Sequence, residues 1–202
     1  MPTISIIIPS FNQSEYLEDA IESAYDQTTQ ALEIIVVDDG SKDDSLEIAR
    51  RYEFKEFPAI ESPVRVISQV NKGLSSARNT GIMNARGDYC LFLDADDKLL
   101  PNAVARITQE IVRSNGDIIA PSFKTFGKHN APVILTPNPT LEDFKPIDGQ
   151  PMNRIGYFSA IRKEALLEVG GYNPKMTFGW EDYDIWFDLL KRGAKIVTIP
   201  EM

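Results

Sequence analysis

Residues 89–101 read YCLFLDADDKLLP. Cys90, Leu91, Phe92 and Leu93 are consecutively apolar, as in a strand buried on both faces. Three carboxylates follow within four positions: Asp94, Asp96 and Asp97. Like charges this close repel, and their pKa values rise unless something cationic sits between them. Either all three point into water, or some of them hold a metal ion. The choice depends on what the rest of the chain brings to the same place.

Upstream, ISIIIPS (4–10), EIIVVDD (33–39) and VRVISQ (64–69) have the same apolar character and also end in polar clusters. Helical spacing separates them. Leu17, Ile21 and Ala24 recur in SEYLEDAIESAYDQ, SKDDSLEIARRY offers Ser41 and Asp44 as a capping box, and GLSSARNTGIMNA makes a third helix. Downstream, Pro101 opens a helix over PNAVARITQEIVRSN, at a position that tolerates proline, and DIIAP makes a fifth strand. Six of the 13 prolines fall between Pro121 and Pro151, where periodicity fades into a long irregular segment (122–153) with room for a short hairpin. A strand around Tyr157–Ile161, a helix over 163–169, the helix GWEDYDIWFDLLKRG and the strand KIVTIP complete the chain. Strands alternating with helices predict an α/β fold, with a mixed, mostly parallel sheet and helices on both faces in a single compact domain.

Composition narrows the function. The 202 residues carry 21 basic and 30 acidic side chains, a formal charge of −9 that opposes phosphate-driven binding of nucleic acid. The sequence has no run of about 20 apolar residues for a transmembrane segment and no basic, signal-like start. With Cys90 as the single cysteine, this predicts a cytoplasmic location. His129 is the sole histidine, which excludes histidine-rich metal sites and Ser-His-Asp triads.

In an open parallel sheet, ligands bind beyond the carboxyl ends of the strands. Four such ends supply polar groups here: Pro9-Ser10-Phe11-Asn12, Asp38-Asp39-Gly40-Ser41, Asn71-Lys72, and Asp94 with Asp96 and Asp97. The first turn, PSFNQSE, lacks the G-x-G-x-x-G of a dinucleotide site, so a bound diphosphate needs other neutralisation. Asp94 and Asp96 can provide it through a divalent cation, since hard carboxylate oxygens suit Mg²⁺ or Mn²⁺. Simpler roles compete. Asp38, Asp39 and Ser41 also fit a turn and cap, and Asp97 fits a turn start. Arg78 and Asn79 fit pairing within their helix or with a nearby carboxylate. Glu181, Asp182 and Asp184 fit acids at a helix start, Trp180 and Trp186 fit packing, and His129 fits a solvated loop.

Four stretches in order, SIIIPSFNQSEYLEDAIESAYDQT, EIIVVDDGSKDDS, NKGLSSARNTGIMNARGDYCLFLDADD and GWEDYDIWFDLLKRG, resemble glycosyltransferase family 2, which has the Rossmann-like GT-A fold. The resemblance runs from Ile4 to about Pro200. It implies a nucleotide-sugar donor, most often a UDP-sugar, and a hexosyl or N-acetylhexosaminyl unit passed to a saccharide or other hydroxyl acceptor in glycan or polysaccharide synthesis. It implies that Pro9 and Phe11 pack against the nucleotide, that Asp39 contacts the base, and that Asn71 and Arg78 add nucleotide contacts. Asp94-Ala95-Asp96 resembles the D-x-D motif, with Asp94 towards the ribose and the metal and Asp96 on the metal. Glu181-Asp182 resembles the E-D motif, which makes Asp182 the general base of an inverting displacement. Gly156 precedes a strand that in the family borders the acceptor pocket. Residues 1–120 then form the nucleotide-sugar half of the domain and 121–202 the acceptor side. Family members usually continue beyond this point, often with a basic residue or histidine that closes over the diphosphate.

Other classes fit less well. A nucleotidyltransferase would want a glycine-rich basic loop after the first strand. An aspartyl phosphatase would want Thr or Val where Lys98 stands. A non-catalytic or truncated nucleotide-sugar-binding domain would keep Asp39 and Asp96 but has no need of Asp182.

Overall fold

The computed structural model describes residues 1–53, 64–127, 131–133, 135, 137–145, 153–177 and 179–200. His129 lies outside them. The order is β1 (Ile4–Ser10), α1 (Leu17–Tyr25), β2 (Glu33–Asp38), α2 (Ser45–Glu53), β3 (Val64–Ser68), α3 (Leu74–Asn84), β4 (Tyr89–Phe92), α4 (Ala103–Ser114) and β5 (Ile118–Pro121). Then come β6 (Phe123–Lys124), β7 (Pro132–Val133), a 3₁₀ turn (Leu141–Phe144), β8 (Ala160–Arg162), α5 (Lys163–Val169), α6 (Glu181–Lys191) and β9 (Ile196–Ile199).

Among the described residues one sheet has the order β3-β2-β1-β4-β8-β5-β9. Neighbouring strands run parallel except β8, which lies antiparallel to both β4 and β5. β6 and β7 pair as the short antiparallel hairpin for which the proline-rich segment had room.

Alternation along β1 builds a core on each face of the sheet. Ile4, Ile6 and Ile8 point one way, joining Leu17, Ala20 and Ile21 of α1 and Val104 and Ile107 of α4. Ile7 points the other way, with Ala77 and Ile82 of α3, Leu166 of α5 and Trp186 of α6. Helix α3 approaches β1 so closely at Gly81 that a Cβ there would lie 2.3 Å from Ile7 Cγ2, so only glycine fits.

At the amino end of β2 the side chain of Glu33 is fully buried. It accepts hydrogen bonds from Ser5 Oγ (2.8 Å), Arg65 Nη1 (2.8 Å), Arg86 Nε (3.0 Å) and the Arg86 N–H (2.6 Å). Burial works against its charge, but these donors outweigh it and hold its pKa below the ordinary value.

Three local expectations change. The Ser41–Asp44 capping box does not form. α2 starts at Ser45, and the Ser41 hydroxyl instead accepts the N–H of Asn12 in the neighbouring turn (3.0 Å). Pro101 lies in the turn before α4, which begins at Ala103 behind Asn102. The strand expected around Tyr157–Ile161 begins only at Ala160, because Tyr157 and Phe158 belong to a turn at the sheet rim.

Candidate active site

The parallel registers of β1 to β4 carry their carboxyl ends to one rim, as the sequence pattern predicts. Because β8 runs the other way, the turn that precedes it, with Tyr157, reaches the same rim.

Asp39 follows β2 and is buried. Its Oδ1 accepts from Gln69 Nε2 (2.7 Å) and the Lys72 N–H (3.0 Å), and its Oδ2 from the Gly73 N–H (2.8 Å). The carboxylate thus shapes the turn that leads into α3, which leaves Asn71 exposed beside it. Pro9 is buried in β1, whereas Phe11 at the end of the strand is 43% exposed.

At the end of β4 the chain turns through a hydrogen bond from the Asp97 N–H to the Asp94 carbonyl (3.0 Å). Asp94 is half-buried and Asp96 exposed. Asp97 accepts a hydrogen bond from the Tyr157 hydroxyl, a contact that its sequence position gave no means of finding. Burial raises the pKa of both Asp94 and Asp97. Arg78 opposes the rise at Asp94, and the Tyr157 hydrogen bond opposes it at Asp97.

Helix α6 begins unusually. Trp180, half-exposed, has φ +66°, a left-handed conformation that costs a bulky residue about 1–3 kcal/mol and persists where its surroundings enforce it. Behind it, Glu181, Asp182 and Asp184 occupy the first turn, where acids favour the helix dipole. Asp182 Oδ1 accepts the Tyr183 N–H (2.8 Å), and Asn153 donates to its Oδ2. Burial raises its pKa, which suits a carboxylate meant to take up a proton.

Arg78 on α3 joins the two acidic segments. Its side chain is 1% exposed. Nη2 donates to Asp94 Oδ1 (2.9 Å) and Nη1 to Glu181 Oε1 (2.7 Å). The guanidinium lies over the rings of Tyr172 (5.2 Å to the centroid) and Tyr157 (5.7 Å). Burial opposes its charge, yet Asp94, Tyr172 and Glu181 together hold its pKa above the ordinary arginine value.

Asp94 and Asp96 can hold a divalent cation. No described residue donates a hydrogen bond to Asp94 Oδ2 or to Asp96. Among the described residues no three His, Cys, Asp or Glu side chains converge on one point. A pair of carboxylates with ligand phosphates and water is the donor set that Mg²⁺ commonly takes.

The model of the family described as "Glycosyl transferase family 2" matches residues 5–170. The chain belongs to glycosyltransferase family 2. A relative from Bacillus subtilis (strain 168), "Uncharacterized glycosyltransferase EpsJ", is 42% identical over 123 residues, covering 61% of this chain and 34% of its own. Among solved structures, Staphylococcus aureus TarS 1-349 in complex with UDP superposes with a TM-score of 0.82 at 20% identity, over 99% of this chain and 58% of that one. The mannosyltransferase PcManGT from Pyrobaculum calidifontis, in complex with GDP-Man and Mn²⁺, gives a TM-score of 0.71 at 18% identity, over 98% and 55%. At these identities the superpositions establish the fold, which is the GT-A architecture predicted from the sequence. The chain spans between a third and three-fifths of the length of these proteins. The family match stops at residue 170, whereas the fold match continues through Glu181 and Asp182.

Proposed function

We propose that this chain binds a nucleotide-sugar donor, UDP-linked in the first instance, together with Mn²⁺ or Mg²⁺, and transfers the sugar with inversion to an acceptor hydroxyl. The observation that carries the reading is the convergence on one rim of the Asp94–Asp96 pair and of Asp182, which two different parts of the chain supply. The complexes of the fold neighbours with UDP and with GDP-Man and Mn²⁺ support it. Residues 1–120 form the donor side and 121–202 the acceptor side, and a cytoplasmic location belongs to the same proposal.

In this reading Pro9, Phe11 and Asn71 border the nucleotide, and Asp39 holds the turn against which the base lies. Asp94 and Asp96 would hold the cation, which would offset charge on the departing diphosphate. Asp182, held by Asn153 and the Tyr183 N–H, accepts the proton of the acceptor hydroxyl as it attacks the anomeric carbon from the face opposite the diphosphate.

Two measurements test it. UDP should stabilise the protein against heat more with Mn²⁺ than in excess EDTA, because a ligand that binds the native state raises stability by mass action. Equal UDP affinity with and without metal would reject the cation site. Asp182→Asn keeps the shape and removes the proton acceptor. It should retain metal-dependent UDP binding and lose turnover by about 100-fold, the usual scale for a general base. Unchanged turnover would remove Asp182 from that role. A parent protein that binds UDP and never releases it from a UDP-sugar would favour a binding domain.

A further inference from the structure

The guanidinium of Arg78 is placed to do more than neutralise one acid. It is fully buried, 16 residues from Asp94 and 103 from Glu181 in sequence, and it donates to both. The first belongs to the turn that ends β4, and the second opens the helix whose next residue is Asp182. The rings of Tyr157 and Tyr172 lie against the fork, and Asn79, one position along α3, ties the same region down. Its Nδ2 donates to the Tyr172 carbonyl (2.7 Å) and its Oδ1 accepts the Tyr172 N–H (2.8 Å). A planar fork can bridge two carboxylates in a set geometry, whereas the point charge of lysine cannot. Arg78 is also almost entirely shielded from solvent, so a nucleotide on the rim has little of it to touch.

We infer that Arg78 is a positioning residue that couples the donor–metal turn at Asp94 to the start of α6 through Glu181, so that the base carboxylate is placed by the same group that orients Asp94. This rests on the reading of Asp94–Asp96 as donor site and Asp182 as base. It assigns Arg78 to the alignment of the two halves rather than to nucleotide affinity. Such alignment matters because a displacement of about 1 Å in a reacting group can cost on the order of 100-fold in rate.

The test uses Arg78→Lys and Glu181→Gln, alone and combined. UDP affinity is read by calorimetry in Mn²⁺, and turnover as UDP release from a mixture of UDP-glucose, UDP-galactose and UDP-N-acetylglucosamine. Arg78→Lys should keep UDP affinity within about threefold of the parent and lower kcat by about 30-fold or more. This split differs from that of a donor contact, which would lower affinity with kcat retained. If Arg78 acts through Glu181, the double variant should be no slower than the slower single variant, because groups that act as a unit are non-additive. Arg78→Lys keeps a cation beside the buried carboxylates and Glu181→Gln keeps an acceptor for it, so the fold on which the comparison depends is retained in each variant. A tenfold loss of affinity with unchanged kcat, or multiplicative effects of Arg78 and Glu181, would overturn the positioning role. A parent that does not bind UDP with Mn²⁺, or binds it without turnover, would overturn the donor or catalytic reading instead, and the positioning role with it.

Discussion

Two buried ion clusters among the described residues are built in opposite ways. At the amino end of the sheet one carboxylate, Glu33, receives two arginines, a serine hydroxyl and a backbone N–H, and no other acid among the described residues pairs with those arginines. At the carboxyl rim one cation, Arg78, serves Asp94 and Glu181, while Asp96, Asp97 and Asp182 crowd the same end. The first cluster lowers the pKa of its acid, and the second leaves Asp94, Asp97 and Asp182 above theirs. Among the described residues the rim also keeps buried polar atoms without hydrogen-bond partners, Arg78 Nε and the Tyr172 hydroxyl among them, whereas both oxygens of Glu33 and the Ser5 hydroxyl are bonded. Satisfied charge at one end and excess negative charge at the other separate a cluster that holds the fold from the one to which the proposed function assigns the ligand.

The largest effect should come from breaking the satisfied end. Glu33→Ala removes the acceptor of four hydrogen bonds and leaves Ser5 Oγ buried. It should cost on the order of 3 kcal/mol in urea unfolding at pH 7, since bonds to a buried charge are each worth about 1.5–3 kcal/mol and the exposed arginines regain water. A loss under about 1 kcal/mol would show that this cluster is no more structural than the rim.

A smaller effect belongs to the rim turn that resembles the Glu33 cluster in being satisfied. Three donors converge on the two oxygens of Asp39. In Asp39→Asn one oxygen becomes an NH₂ that faces an N–H donor, so the 69–73 turn must shift. UDP affinity should fall about tenfold, or about 1.4 kcal/mol, with little change in kcat. Calorimetry that finds parent-like affinity would move the base contact away from this turn.

Much of this architecture was legible in the sequence because it is local. The apolar runs of β1, β2 and β4 and the helical spacing of α1 and α3 act over a few residues, and the polar strand ends mark the rim whatever the partner strands are. Direction was not legible for β8: Ala160 and Ile161 are as apolar in an antiparallel strand as in a parallel one, so its reversal emerged only from its pairing with Leu91 and Cys90. The Ser41–Asp44 spacing matches a cap, but the Asn12 N–H competes for the Ser41 hydroxyl, and tertiary contact prevails over the local pattern. Asp94, Asp96 and Asp182 stood out by motif. The bridge from Arg78 to Glu181 and the bond from Tyr157 to Asp97 did not, because each joins residues 60 or more positions apart, with no local signal of the partner.

The smallest effect sharpens the contrast through its sign. Asp97 is a rim carboxylate whose folded pKa is raised, chiefly by burial, although Tyr157 donates to it. A group of this kind binds its proton more tightly in the folded chain than in the unfolded one. It is therefore neutral in sign below the ordinary carboxylate pKa and lowers stability as pH rises from that value through the folded pKa. Asp97→Asn removes the charge and keeps an oxygen for the Tyr157 hydroxyl. In the absence of metal it should be more stable than the parent at pH 7, by up to about 1 kcal/mol, and the gain should shrink towards zero as pH falls below about 4. Glu33 has the opposite linkage. Its lowered pKa contributes stability above the ordinary value that is lost as pH falls, so the cost of Glu33→Ala should also fade in acid, but from the destabilised side. Urea midpoints of the two variants against the parent from pH 7 to pH 3 would therefore approach the parent's curve from opposite directions. If Asp97→Asn is less stable than the parent at pH 7, the Tyr157 bond outweighs burial, and Asp97 belongs with the satisfied cluster rather than with the frustrated rim.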